Sequence, residues 1–215
     1  PTETTSPPTY TVRTAAATLE NPTYEFPTMI DPTHHYLFYL HGKIIEEQGI
    51  PAVSEEFGEY EYAAILDQLQ VHGVVVISEL RPKNTDGIQY ARKIADQVIS
   101  LLESEVPANH ITVVGASKGA SIAIYTSHFL ENQEIKFVLL GSCHPTFVES
   151  LKQNSISLFG DVLSIYDFAD DEYSGSCKEL FTFSQGKGLG SNAEIVLQIG
   201  TGHGILYHPL DEWIL

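Results

Sequence analysis

Apolar runs of strand length alternate with helical segments along most of this chain, and this alternation constrains the fold more than any other feature. The runs "HYLFYLHG" (35–42), "GVVVISEL" (73–80) and "HITVVG" (110–115) are rich in β-branched and aromatic residues, which is typical of strands buried on both faces. Residues 85–106 place apolar side chains three and four positions apart, which indicates an amphipathic helix. Because alternating strands and helices form crossover units, we predict an α/β protein with a mainly parallel central sheet and helices on both faces.

The remaining segments extend this pattern without an internal repeat or a clear domain boundary. We predict two edge strands at 9–19 and 22–30, the second interrupted by prolines. Residues 1–34 are expected to form a flexible lead-in with these edge strands, and residues 35–215 a single α/β domain. The other predicted strands are 135–143, 161–168 and 193–200, and the other predicted helices are 54–70, 118–131 and a short one near "HPLDEWIL".

Charge and hydropathy narrow the classes of partner. The formal net charge is -17, which disfavours a nucleic-acid partner because binding to phosphates needs clustered Lys and Arg. No apolar run reaches the roughly 18 residues that a membrane span needs, so no transmembrane segment is predicted. The expected partner is a small molecule.

The Thr- and Pro-rich start "PTETTSPPTY" has neither the basic nor the apolar region of a signal peptide. Such a lead-in often follows a removed signal or lipid-anchor segment, although a trimmed chain looks the same. The sequence therefore favours an exported location (periplasmic, lipid-anchored or secreted) over a cytoplasmic one.

The stretch "ITVVGASKGASIAIYTSHFL" (111–130) contains G-x-S-x-G between a predicted strand and a predicted helix. A serine at the tip of so sharp a turn is held in a strained backbone conformation, and small neighbours let the strand and helix pack closely. Gly115 and Gly119 would make this room, and Ser117 would be exposed at the top of the sheet as a nucleophile. The alternative is a glycine-rich turn in which Ser117 is only the N-cap of the helix.

A serine nucleophile needs a base and a carboxylate that orients the base. His203 follows the last predicted strand between two glycines, in "IGTGHG". Asp167, Asp170 and Asp171 follow an earlier strand, in "SIYDFADDEY". Parallel strands bring their carboxyl ends to one edge of the sheet, so these residues are candidates for one site. Alternatively, the acidic cluster is a solvated loop or a calcium site.

Four segments together resemble an α/β-hydrolase of the compact serine esterase type, without a large lid: "YLHGK", "GASKG", "SIYDFADD" and "GTGHG". The resemblance covers the chain from about residue 35 on and implies a catalytic triad of Ser117, His203 and Asp170, with Asp171 and then Asp167 as alternatives for the acid. It implies a carboxylesterase that works through an acyl-enzyme and needs no cofactor. No histidine has the spacing of H-E-x-x-H, so no catalytic metal is predicted.

The resemblance also implies an oxyanion hole of two backbone N–H groups. One belongs to Lys118, which follows the nucleophile. The other comes from the "HGK" turn, from Lys43 or otherwise Gly42. His41 is expected to brace this turn rather than to act as a base.

Cys143 ends one predicted strand, and Cys177 follows the loop that carries the three aspartates. They form either a disulfide or two buried thiols, because sequence does not give the separation of their Cα atoms. A disulfide would imply an oxidising compartment.

Only residues 144–160 separate two late strands, which leaves room for one short helix and no large lid. We therefore expect an open site and a small or exposed acyl ester as substrate. Residues 43–62 either wall this site, with Tyr60 and Tyr62 available for stacking, or form a solvated charged segment. A thioesterase, peptidase or acyltransferase using the same triad, and a non-catalytic binding protein on the same scaffold, remain the alternatives.

Overall fold

A sheet of six parallel strands lies at the centre of the computed structural model, which describes residues 24–70 and 73–214. The strands are β1 (Tyr36–Leu40), β2 (Val53–Ser54), β3 (Gly58–Glu59), β4 (Val75–Ile77), β5 (Ile111–Ala116), β6 (Lys136–Leu140), β7 (Gly160–Asp167) and β8 (Leu189–Leu197). The α-helices are α1 (Lys43–Gln48), α2 (Tyr62–Gln70), α3 (Gly87–Glu103), α4 (Lys118–Leu130), α5 (Pro145–Gln153), α6 (Lys178–Ser184) and α7 (Asp211–Ile214).

The central sheet has the strand order β4-β1-β5-β6-β7-β8, and each neighbouring pair is parallel. Phe38 and Tyr39 are adjacent on β1 and both fully buried, although neighbouring side chains of a strand point to opposite faces. Phe38 packs in a core with residues of α3 and α4, and Tyr39 in a second core with residues of α2. Both faces of the sheet are therefore covered, which confirms the predicted α/β architecture.

The strand order reverses direction beside β1. The chain passes from β1 to β4 on one side and returns to β5 on the other. In open parallel sheets, such a reversal leaves a crevice at the carboxyl ends of the strands, and ligands bind there. His41 and Gly42 follow β1, and Ser117 follows β5; all three were singled out in the sequence.

Two sequence predictions differ from the structure. The predicted helix 54–70 begins only at Tyr62, because β2 and β3 pair as a short antiparallel hairpin whose turn needs Gly58 at φ +79°. The predicted edge strand 22–30 is wrong for its described part, where Tyr24 makes an isolated antiparallel bridge to Ser78. Residues 9–19 lie outside the described residues. The short helices α1 and α6 had no prediction.

Helix α5 occupies the segment expected to hold one short helix. None of the described helices is both long and apolar enough to cross a membrane.

Candidate active site

The turn between β5 and α4 holds Ser117 in a backbone conformation that is rare for a residue with a side chain, with φ 54° and ψ -117°. A methyl group on Gly115 would collide with the backbone of Gly119, and one on Gly119 would collide with the carbonyl of Leu40. The two glycines are therefore required for α4 to approach the sheet. The side chain of Ser117 makes no capping hydrogen bond. The structure thus gives no support to the alternative in which this serine is a helix cap.

His203 and Asp170 are in direct contact. The Nδ1 atom of His203 lies 2.6 Å from Oδ2 of Asp170, and only 9% and 1% of the two side chains are exposed. Gly202 adopts φ +57° at the start of the short 3-10 helix that carries His203, so the glycine before the histidine is needed by the turn. Burial is the largest single influence on Asp170 and acts to raise its pKa, but the hydrogen bonds from His203, Ser174 and the N–H of Tyr173, together with the charge of His203, lower the pKa overall.

The other two aspartates occupy different positions. Asp171 is exposed on the same loop. Asp167 is fully buried, and burial acts to raise its pKa, but hydrogen bonds from backbone N–H groups outweigh this and lower the pKa. Asp167 thereby ties the acid loop after β7 to the loop after β8. Its carboxylate accepts hydrogen bonds from the backbone N–H groups of Ala169, Ile199, Gly200 and Gly202.

One open cavity of about 470 Å³ is lined by both Ser117 and His203. Gly42 and Lys43 of the turn after β1 line it as well. A Cβ placed on Gly42 would lie 3.7 Å from Cβ of Ser117, so this turn is in contact range of the serine. The structure therefore brings a hydroxyl, an imidazole backed by a carboxylate and a backbone turn to one cavity.

Comparison with solved structures identifies the architecture. An α/β-hydrolase family protein from Desulfitobacterium hafniense matches with a TM-score of 0.50 at 11% identity, over 83% of this chain and 92% of that one. A lipase-esterase related protein from Clostridium acetobutylicum matches with a TM-score of 0.46 at 12% identity, over 83% and 91%. A feruloyl esterase module from Clostridium thermocellum, complexed with sinapinate, matches with a TM-score of 0.43 at 15% identity, over 84% and 78%.

The chain has the α/β-hydrolase fold. At these identities the likeness shows the fold alone. No protein-family model matches the chain, and no curated protein sequence matches it.

Within this α/β-hydrolase fold, His41 is fully buried behind the turn after β1. Its Nε2 accepts a hydrogen bond from the N–H of Arg81 at 3.0 Å, so Nδ1 carries the proton and donates to the carbonyl of Gly42 at 2.8 Å. Burial, and then the charge of Arg81, lower the pKa of His41 to about 3. A histidine that stays neutral and engaged at both nitrogens is suited to bracing the turn, which is the role expected from the sequence.

The acid loop after β7 is joined by a disulfide between Cys143 and Cys177 to the segment that follows β6. The bond closes a loop of 34 residues that includes Asp170. The same two segments also pair through their backbones, where Gly175 N–H donates to the carbonyl of Ser142 at 2.8 Å. The loop that carries Asp170 is thus held to the segment after β6 both by the disulfide and by a backbone hydrogen bond.

The sequence interpretation missed several residues that surround His203. Gly141 adopts φ +57° after β6, and a Cβ there would lie 3.1 Å from Cε1 of the imidazole. The centroid of the Tyr173 ring lies 4.9 Å from that of His203, and the centroid of the Phe57 ring lies 6.4 Å from it. A glycine after a buried strand was a readable signal for Gly141. The two aromatic residues carried none, because they approach His203 from distant loops.

The hairpin and α1 wall the cavity, as one of the two alternatives for residues 43–62 proposed. Tyr60 lines it, although its hydroxyl lies 2.6 Å from that of Tyr39 in the core. Tyr62 does not reach the cavity: it is buried, and its hydroxyl bonds to Ser78 at 2.7 Å. Across the described residues 24–70 and 73–214, no group of three or more His, Cys, Asp or Glu is arranged to hold a metal ion.

Proposed function

We propose that this protein is a serine hydrolase that cleaves carboxylic esters through an acyl-enzyme. The observation that carries the proposal is the contact of His203 with Asp170 at 2.6 Å, on the cavity that Ser117 also lines. A buried imidazole aligned by a carboxylate, on the same cavity as a serine with a strained backbone, supplies the base, the orienting acid and the nucleophile of such a reaction.

In the proposed reaction, His203 takes the proton of Ser117 as the serine oxygen attacks the acyl carbon. The proton sits on Nε2 of the imidazole, while Nδ1–H continues to donate to Asp170. The tetrahedral intermediate then collapses, and His203 passes the proton to the leaving alcohol. Water repeats the sequence on the acyl-enzyme, which releases the acid and restores the hydroxyl of Ser117.

The oxyanion needs N–H donors that have no other partner. Lys118 is the first residue of α4, and Lys43 is the first residue of α1. The first N–H groups of a helix have no partner within that helix. We assign the oxyanion to two N–H donors. One is the N–H of Lys118, which directly follows Ser117, and the other is the N–H of Lys43 or Gly42, which line the cavity. Removing one such donor typically costs about 10²- to 10³-fold in kcat.

The cavity favours a small acyl ester over a long lipid chain. It is open to solvent, and the short α5 stands where a lid would be inserted. Its walls combine the aromatic rings of Phe57, Tyr173 and Tyr207 with carboxylates, among them Glu55 and Glu56. A fully apolar acyl tunnel is absent from the described lining residues.

The experiment is hydrolysis of p-nitrophenyl acetate by wild-type protein and by Ser117→Ala. We expect turnover by the wild type and a loss of at least about 10³-fold in the variant, with an unchanged circular dichroism spectrum. Equal turnover by the two proteins would overturn the assignment of Ser117. A panel of esters, thioesters and amides then separates an esterase from a thioesterase or a peptidase, and a wild type inactive on all of them would favour a binding protein.

A further inference from the structure

A buried cluster of three charges lies directly behind the candidate oxyanion turn. It consists of Glu46, Arg81 and Lys118, which come from α1, from the segment after β4 and from the first position of α4. Oε1 of Glu46 lies 2.6 Å from Nε of Arg81, and Oε2 lies 2.5 Å from Nζ of Lys118. The exposed fraction is 1% for the side chain of Glu46, 0% for Arg81 and 24% for Lys118. Each oxygen of the carboxylate therefore holds a different cation.

Stability alone is a poor explanation for such a cluster. Removing charges from water costs several kcal/mol per ion, and replacing a buried ion cluster by apolar residues is often neutral or stabilising. In several proteins, buried polar or ionic groups instead fix one geometry of the segments that carry them.

The cluster links the two backbone segments that provide the assigned oxyanion donors. Glu46 lies one turn into α1, the helix that begins at Lys43. Lys118 directly follows Ser117, and its side chain is bound both to Glu46 and to the carbonyl of Thr85, the latter at 2.7 Å. Arg81 completes the link because its guanidinium also donates to the carbonyl of His41, at the start of the turn.

We propose that Glu46 is a positioning residue of the hydrolase, which sets the separation between the N–H of Lys118 and the N–H donor of the turn at Lys43 or Gly42. This inference rests on the proposed function. Glu46 is not among the residues that line the cavity. It acts through α1 on one donor and through the side chain of Lys118 on the other. Arg81 holds the carboxylate and the turn in place.

The proposal has a kinetic signature. Oxyanion donors act most strongly on the charge that develops in the transition state, so misplacing them lowers kcat and leaves KM nearly unchanged. A displacement of about 1 Å can cost about 10²-fold in rate. If the cluster only stabilised the fold, breaking it would change neither kcat nor KM at temperatures well below the unfolding transition.

The test compares Lys118→Met with wild type on p-nitrophenyl acetate, because the partly exposed Lys118 can be changed with less risk to folding than Glu46. We expect kcat to fall about 10- to 100-fold, KM to stay within about threefold, and the inhibition constant of a boronic acid, which forms a tetrahedral adduct at the serine, to rise in parallel with the loss of kcat. Lys118→Arg, which keeps the charge, should recover most of kcat.

Glu46→Gln is the second variant, and it should show the same pattern. If the cluster acts as a unit, adding Lys118→Met to Glu46→Gln causes little further loss, whereas independent residues would give multiplied losses. Val98→Ala is the control, since Val98 is fully buried on α3 and belongs to the core on that side of the sheet. It should lower thermal stability while leaving kcat and the boronic acid affinity at wild-type values.

Wild-type kcat and boronic acid affinity in folded Lys118→Met would overturn the positioning role while leaving the proposed hydrolase intact. A rise in KM with an unchanged kcat would also overturn the positioning role. If wild-type protein itself shows no turnover and no boronic acid binding at Ser117, the proposed function has failed, and the positioning role fails with it. The wild-type measurements therefore separate the two failures.

Discussion

Oδ2 of Asp170 lies 2.6 Å from Nδ1 of His203, although the two residues are 33 positions apart in the chain and belong to loops that follow different strands. Two features hold this contact in place. Backbone N–H groups from both loops converge on the carboxylate of Asp167, and the disulfide between Cys143 and Cys177 anchors the acid loop to the segment after β6. The geometry of the pair is therefore built into the sheet edge.

The first prediction concerns the acid of the proposed triad. Asp170→Asn should lower kcat about 10⁴-fold, because an amide cannot hold the imidazole in the tautomer that accepts the serine proton. Asp171→Asn is the matched control: the residue is adjacent but exposed, and its variant should keep kcat near the wild-type value. Steady-state kinetics on one ester decides between them. A large loss in the Asp171 variant alone would reassign the acid.

The second prediction concerns the pH dependence of stability. The pKa of His41 is about 3 in the folded protein and 6.5 in the unfolded chain. Between these pH values, His41 is protonated in the unfolded chain and neutral in the folded protein. The stability that depends on a neutral His41 is fully present above pH 6.5, and it is lost progressively as the pH falls from 6.5 towards 3. By pH 4.5 the loss should be about 2 to 3 kcal/mol.

Urea unfolding of wild type and His41→Gln at pH 7.5 and pH 4.5 measures this effect. The variant should be less stable at pH 7.5, because the hydrogen bonds to Gly42 and Arg81 are disturbed. The difference between the two proteins should shrink at pH 4.5 by the amount stated above. An identical pH dependence in both would mean that His41 does not remain neutral in the fold.

The third prediction concerns the disulfide. Replacing Cys143 and Cys177 by alanine should lower the free energy of unfolding by about 3 to 4 kcal/mol, since the bond closes a loop of 34 residues in the unfolded chain. Urea denaturation with and without a reductant measures this. Reductant should destabilise the wild type and leave the double variant unchanged. If the reductant left the stability of the wild type unchanged, the disulfide would not be present in the protein.

Much of this architecture was readable from the sequence, because it depends on local patterns. Continuous apolar runs identified β1, β5 and β6, and the three- and four-residue spacing identified α3. The glycines of the turn between β5 and α4 were readable as well, since their requirement is steric: strand and helix cross within contact distance at Gly115 and Gly119. These features are encoded within a few neighbouring residues.

What the sequence did not reveal depends on contacts between distant segments. Glu46 lies in an acidic stretch that resembles a solvated helix face, yet it is buried because Arg81 and Lys118 approach it from two other elements. Glu79 lies only two residues before Arg81 in the sequence. Glu79 instead pairs with Lys93 on α3. A charge pattern shows which partners are available, and only the fold decides which of them meet.

The central claim is that Ser117 is an activated nucleophile, and covalent labelling by a fluorophosphonate measures this most directly. Intact-mass spectrometry and peptide mapping should show one adduct per chain, on Ser117, with labelling abolished in Ser117→Ala and strongly slowed in His203→Gln. A wild-type protein that is folded and remains unlabelled, or one labelled equally fast without the imidazole, would contradict the account.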